Sequence, residues 1–169
     1  MKLKDLLSEK KGAILKKWFD KVLESYPSEA SSFLRNQKKP FTNPVGYTIS
    51  QALEKIFEGL LQGTNSEEIS PSLDNIIRIR AVQGLPPSQD LAFMFHLKNV
   101  IRGEIEAGEP VAAEELLNLE SRIDALALIS FDIYMTCREK IYELKANEVK
   151  NMTFRLLQRA KLVREVQEE

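Results

Sequence analysis

The chain has 169 residues, 43% hydrophobic and 29% charged, with a formal net charge of −1; that is one domain by length, with enough apolar residues for a core without disulfides. The charge balance gives no global field to recruit nucleic acid, and the single cysteine, Cys137, excludes an internal disulfide and fits a reducing compartment. No apolar run approaches the ~18 residues that span a bilayer, and the N-terminus lacks the apolar core of a signal peptide, so the cytoplasm is the expected location.

Glycines and prolines set the helix edges. The spacing predicts helices at about 2–10, 13–26, 28–36, 44–62, 71–82, 87–107 and 111–163, with Gly12 between the first two, which also fit one kinked helix. Leu15, Phe19, Val22 and Tyr26 form an apolar stripe on the second helix. Asn43-Pro44 reads as an N-cap followed by proline at the first helical position, and Val45, Ile49, Ala52, Ile56 and Leu60 continue as a stripe. Ser70-Pro71 repeats the start signal, which leaves 64–68 as a loop. Pro86-Pro87 opens the sixth helix, whose stripe is Met94, Leu97, Ile101 and Ile105. Gly63, Gly84 and Gly108 fall where a glycine closes a preceding helix. No segment shows strand alternation, and no repeat is visible. The expected fold is all-α: a single helical bundle, globin-like as one option, with a long projecting C-terminal helix.

That last helix is the most informative element. Beyond Pro110 the sequence has neither glycine nor proline. A helix over 111–163 would be roughly 75–80 Å long at ~1.5 Å per residue, against a globule of about 40 Å diameter. The expectation is a globule of about 1–137 and a projection of about 138–165. From Ile123 to Met135 the sequence is apolar nearly all round, which predicts a central, fully buried helix. Further on, Ile141, Leu144, Val149, Met152, Leu156 and Val163 form an imperfect coiled-coil seam. Residues 138–164 carry eight Lys or Arg and three Glu, so the remainder of the chain is acidic.

Few residues invite chemistry. His96, the lone histidine, projects roughly 150° from its helix's apolar stripe at ~100° per residue; a margin or surface position is the simpler reading than a haem ligand. A single histidine without a cysteine partner also excludes the usual zinc sites, and no cofactor is expected. Cys137 reads as a small buried hydrophobe, with a redox-sensing thiol beside Arg138 as the sharper alternative. Arg80, Lys98 and Asp132 each sit among apolar residues on their wheels. Buried charges need partners, so the three are read as a candidate buried polar cluster, with Asp132 paired to Arg80 or Lys98. Its plain role is a structural ion pair; its functional alternative is a pocket for a small anion. On the projecting helix, Lys150, Arg155, Arg159 and Lys161 are the candidate partner-binding residues. The narrow apolar stripe favours a helix partner over a membrane surface, and no helix-turn-helix signature or aromatic platform points to nucleic acid.

Several blocks together resemble a known family. They are Trp18-Phe19 and Tyr26-Pro27; Phe41-Thr42-Asn43-Pro44-Val45-Gly46; Leu73-Asp74-Asn75-Ile76-Ile77-Arg78-Ile79-Arg80-Ala81-Val82-Gln83; Pro87-Ser88-Gln89; Ser121-Arg122-Ile123-Asp124; Phe131-Asp132-Ile133-Tyr134; and Cys137-Arg138-Glu139. The set resembles the N-terminal domain of the RsbRD-type RsbT co-antagonist proteins of bacterial stress signalling, over about residues 3–160. The resemblance implies an all-helical sensory or regulatory domain, related in role to globin-like sensors, and assigns no catalytic residue. Family members often join it to a phosphoacceptor STAS domain, for which the sequence ending at Glu169 leaves no room. The expected function is therefore a non-catalytic regulatory module, homodimeric and acting through protein–protein interaction. The alternative is an accessory or assembly protein docking on a larger complex, a membrane redox complex among them; an enzyme or haem protein ranks third.

Overall fold

A computed structural model describes residues 2–36, 39–106 and 110–162, and among them there are seven helices and no strand. The helices are α1 (Leu3–Glu9), α2 (Lys11–Leu23), α3 (Ser28–Asn36), α4 (Pro44–Gln62), α5 (Ser66–Ala81), α6 (Pro87–Glu106) and α7 (Ala113–Arg159). The fold is all-α, consistent with the globin-like bundle that the resemblance implies. The α4 helix packs on α5, α2 lies against α4 and α6, and the first half of α7 lies across α5 and α6. The core gathers Ile14, Trp18, Ile49, Ile56, Phe57, Leu73, Ile76, Phe93, Leu97 and Ile123, all but sealed from solvent. At its centre the Trp18 indole N–H donates to the Phe93 carbonyl at 2.6 Å, and the two rings stack with centroids 6.3 Å apart. The buried indole thus keeps a hydrogen bond while its ring fills the core.

Two local devices set the path of the chain. The Asn43 side chain caps α4 by accepting from the Gly46 amide at 2.9 Å, while its Nδ2 donates to the Leu34 carbonyl in α3 at 3.0 Å. One fully buried amide therefore ties two helices together, and Pro44 supplies the first helical position. Gly46 belongs to the same device: a Cβ there would lie 2.2 Å from Nδ2 of Asn43 and 2.8 Å from the Leu34 carbonyl oxygen. At the other end of α4, Gly63 closes the helix in the left-handed region, φ 74°.

Three expectations are corrected. The fifth helix begins at Ser66, not Pro71: Asn65 caps it through the Glu67 amide, and Pro71 lies inside the helix. The extra turn forms because Ile69 is buried against Gly59, where any Cβ would come within 2.7 Å of it. That contact outweighs the amide lost at Pro71. Gly12 does not separate the first helices; the break is at Lys10, and Gly12 lies in α2. Gly108 and Val163 lie outside the described residues.

The third correction concerns α7, 47 residues long and so about 70 Å. Its middle is not sealed on all sides. Leu119, Ile123, Leu126, Ser130 and Tyr134 form one buried stripe, while Leu128 and Phe131 are 72% and 48% exposed. Periodicity cannot pick a face where apolar residues surround the axis. Ile141 is half-buried, and every residue from 142 to 162 is exposed.

Gly46→Ala should be unusually costly for a small change. Loss of the cap costs about 0.5–2 kcal/mol and the overpacking about 1–3 kcal/mol. A clearly lower urea midpoint with native far-UV circular dichroism is expected; an unmoved midpoint would mean the Asn43 bridge is not a stabilising tie.

Candidate functional site

Arg80 is buried to 1% exposure and its guanidinium is almost fully used. Its Nε donates to the Asp90 carbonyl at 2.8 Å, one terminal nitrogen to the Gln89 carbonyl and the Ser25 hydroxyl at 3.0 Å each, and the other to the Val22 carbonyl at 3.4 Å. The Tyr26 ring lies 5.8 Å from the cation. Val22 is in the last turn of α2, so Arg80 satisfies a carbonyl that the helix leaves open.

The partner of Arg80 is Asp90, not Asp132. The carboxylate of Asp90 is fully buried and 3.8 Å from Arg80; the Tyr134 side chain faces it as a donor, but no donor meets its oxygens at close hydrogen-bond geometry. Burial pushes its pKa above the ordinary 3.8; Arg80, Tyr134 and Arg138 act in the opposite direction without cancelling it. Tyr134, facing from α7, is itself pushed up, by burial and then by the Asp90 charge.

Arg80, Lys98 and Asp132 are not brought together. Lys98 is half-buried and holds Asp124 at 2.8 Å, beside the two-point pair of Arg102 and Glu120. Asp132 is exposed, because the apolar residues around it on α7 are themselves on the open side of the helix. Sequence reasoning missed Asp90, although the signal existed: the Met94–Leu97–Ile101 stripe, carried one turn upstream, lands on it. Carried one turn downstream it reaches Glu104, also buried, which meets Lys17 and, at 3.3 Å, Lys10. Lys17 first, and then Lys10, hold the Glu104 carboxyl below its usual range; Arg102 does the same for Glu120.

Arg122 and Arg138 were also missed as structural residues. Arg122 reaches from α7 to the carbonyls of Leu60, Gly59 and Thr64 at the end of α4. Arg138 donates to the Ala81 carbonyl at the end of α5 at 2.8 Å, and its other nitrogen to the Tyr142 hydroxyl, whose ring it covers at 4.9 Å. Arg138 therefore marks where α7 leaves the globule.

Cys137 is half-buried in a groove with Asp74, Arg78 and Val82. Burial, and secondly Asp74, pushes its thiol pKa up, with Arg78 opposing. That is the reverse of an activated thiol. His96 is half-buried at the margin between α2 and α6; burial and then Lys21 push its pKa down. Among the described residues no group of three or more His, Cys, Asp or Glu gathers where a metal could sit, and no helix is long and apolar enough to cross a membrane.

On the projecting half of α7, Lys150, Arg155 and Arg159 are exposed, and Lys161 is exposed just past the helix end with φ 55°. Leu128, Met135, Tyr142, Val149 and Leu156 recur every seven residues, with Phe131, Arg138, Lys145, Met152 and Arg159 between them. Ile141 is turned toward the α5 side, in the groove with Val82 and Cys137.

Residues 12–149 match the family described as the RsbT co-antagonist protein rsbRD N-terminal domain, and the chain belongs to that family. It is similar to an uncharacterised protein of Archaeoglobus fulgidus, 28% identical over 135 residues, which cover 78% of this chain and 79% of that one. No solved structure matches the chain. The family match contains Arg80, Arg122 and Arg138 and ends before Lys150.

The pH dependence of stability should expose Asp90. Its folded-state pKa is raised above the unfolded value near 3.8. Its proton-linked stability is therefore full below that value and lost as pH rises through the folded pKa. Asp90→Asn should be at least as stable as wild type at pH 7, with the gap closing as pH falls. Glu104 and Glu120 lose stability in acid in both proteins and cancel from the comparison. Arg80→Ala, which strands buried oxygens and Asp90 together, should cost about 3–5 kcal/mol. Denaturant titrations across pH check this; a gap that widens in acid would contradict it.

Proposed function

We propose that the protein is a non-catalytic sensory or regulatory module of the stress-signalling type. It works as a cytoplasmic homodimer and acts by binding a protein partner through residues 138–164. The observation that carries this reading is the second half of α7. It leaves the globule at Arg138 and runs about 30 Å further with every side chain from Tyr142 on exposed. A helix alone in water is marginal at this length. This one keeps an apolar stripe of Tyr142, Val149, Met152 and Leu156 beside a strongly basic flank, which is the surface of a helix that expects company. Membership of a co-antagonist family supports the regulatory role. The candidate contacts are Lys150, Arg155, Arg159 and Lys161, which suit an acidic, amphipathic partner helix.

The test replaces these four with glutamate. Helicity should survive. Recovery of protein partners from native lysate should fall, and wild-type recovery should weaken with added salt, since exposed charges are screened beyond ~8 Å at physiological ionic strength. Full recovery of the same partners by the variant would remove the projecting helix as the output surface.

A further inference from the structure

A cleft of about 730 Å³ lies where α2, α3 and α4 meet, within the ~300–1,000 Å³ of small-molecule sites. On α2, Gly12, Leu15, Lys16 and Phe19 line it with the three- and four-residue spacing of a single face, and on α4, Tyr47, Ser50 and Gln51 do the same. The third wall is the end of α3, which is held at two points. Arg35 meets Asp20 of α2 at 3.1 Å, and the Leu34 carbonyl accepts from the Asn43 side chain that caps α4. Glycine leaves part of the space between these ties: a Cβ on Gly12 would have nothing within 4 Å. No packing contact inside the protein asks for the missing side chain.

We propose that this cleft binds a small organic monoanion with a flat apolar body, such as an aryl carboxylate. Three observations select that class. First, Leu15, Phe19, Leu34 and Tyr47 give the walls apolar and aromatic surface. Leu15 and Phe19 are half-buried and Tyr47 is exposed, so a bound ring system removes from water apolar surface that the fold leaves wet. Second, the charge is unbalanced by one cation. Asp20 is taken by Arg35. Of the four lysines of α2, Lys11, Lys17 and Lys21 each meet a glutamate, whereas Lys16, on the cleft, makes no ion pair among the described residues. A polyanion such as a nucleotide would find too few charges here. Third, the first turns of α2 and α4 and the last turn of α3 line the cleft, so two positive helix ends are set against one negative. The Tyr47 and Ser50 hydroxyls and the Gln51 amide have no hydrogen-bond partner among the described residues and can meet a polar substituent.

The site goes beyond the partner-binding reading and does not depend on it. The test is a fluorescence titration of the full chain with anilinonaphthalene sulfonate, a monoanion with a flat aromatic body, and with its neutral counterpart, phenylnaphthylamine. Wild type should bind the sulfonate with a rise in emission. Gly12→Trp, which fills the open space beside α2, should keep its helicity and weaken the sulfonate at least about tenfold. Lys16→Met should weaken the sulfonate about 2–5-fold and leave the neutral dye unmoved. No binding by wild type overturns the site. So does full binding by Gly12→Trp, or binding lost instead in Leu128→Glu, which would place the dye on the open side of α7. A Lys16→Met effect that is absent, or equal for both dyes, overturns the anion as ligand. Should Gly12→Trp lose helicity, Ser50→Trp decides: it fills the same cleft from α4, and unchanged binding there overturns the site.

Discussion

Every α-helix ends in carbonyls that its own hydrogen bonding leaves open, and in this globule helix after helix closes that end with a cation lent from elsewhere in the chain. Arg80 of α5 serves α2 at Val22, Arg122 of α7 serves α4 at Gly59 and Leu60, and Arg138 of α7 serves α5 at Ala81. Lys10 serves α6 at Glu104, at 2.8 Å. A cation at a helix C-terminus also meets the negative end of the helix dipole. These contacts do what apolar packing cannot: they fix how far along its axis each helix slides against its neighbour. The core supplies cohesion, and the capping cations supply register.

Burying Arg80 has a consequence for Asp90. A guanidinium sealed from water must keep its donors occupied, and carbonyl and hydroxyl oxygens do most of that here. The carboxylate beside it is thus left with charge proximity to Arg80 and no close hydrogen-bond donor. Glu104 and Glu120, buried less completely than Asp90, are met directly by Lys17 and Arg102 and are held below the usual carboxylate range. The carboxylates are thus pushed in opposite directions: burial dominates at Asp90, and a donor aimed at the oxygen dominates at Glu104 and Glu120.

The parts of the fold legible in the sequence are those set by backbone chemistry or by a clear stripe. Asn43-Pro44 starts α4 where expected, Gly63 ends it, and the α4 and α6 stripes are buried from Ile49 to Leu60 and from Met94 to Ile101, while Val45 is exposed and Ile105 half-buried. The misreadings share a cause: a local signal met a tertiary contact. Pro71 looks like a helix start until Ile69 is seen packed on Gly59. The middle of α7 looks central because its apolar residues surround the axis, yet α5 and α6 cover one side. The same ambiguity misplaced Asp132, whose apolar neighbours face solvent, and hid Asp90, whose neighbours do not. Long-range partners of the arginines leave no trace in spacing. The quoted family blocks did contain Arg80, Arg122 and Arg138, but a block marks a residue without saying what it touches.

Arg138 joins two regimes on one helix. N-terminal to it, α7 is held along its length: Glu115 accepts from the Leu3 amide at 2.6 Å, Arg122 grips the end of α4, and Tyr134 closes over Asp90. C-terminal to it, Ile141 still faces the groove beside Val82, and from Tyr142 on every described residue is exposed. Arg138 itself donates to the carbonyl of Ala81, the residue next to Arg80. The root of the projecting helix and the buried Arg80–Asp90 pair therefore share one turn of α5. Any displacement of that turn moves both, because a close-packed interior transmits strain and does not absorb it. The exposed helix is thus mechanically continuous with the buried Arg80–Asp90 pair, through the Arg138–Ala81 hydrogen bond and through Tyr134 one turn earlier on the same helix.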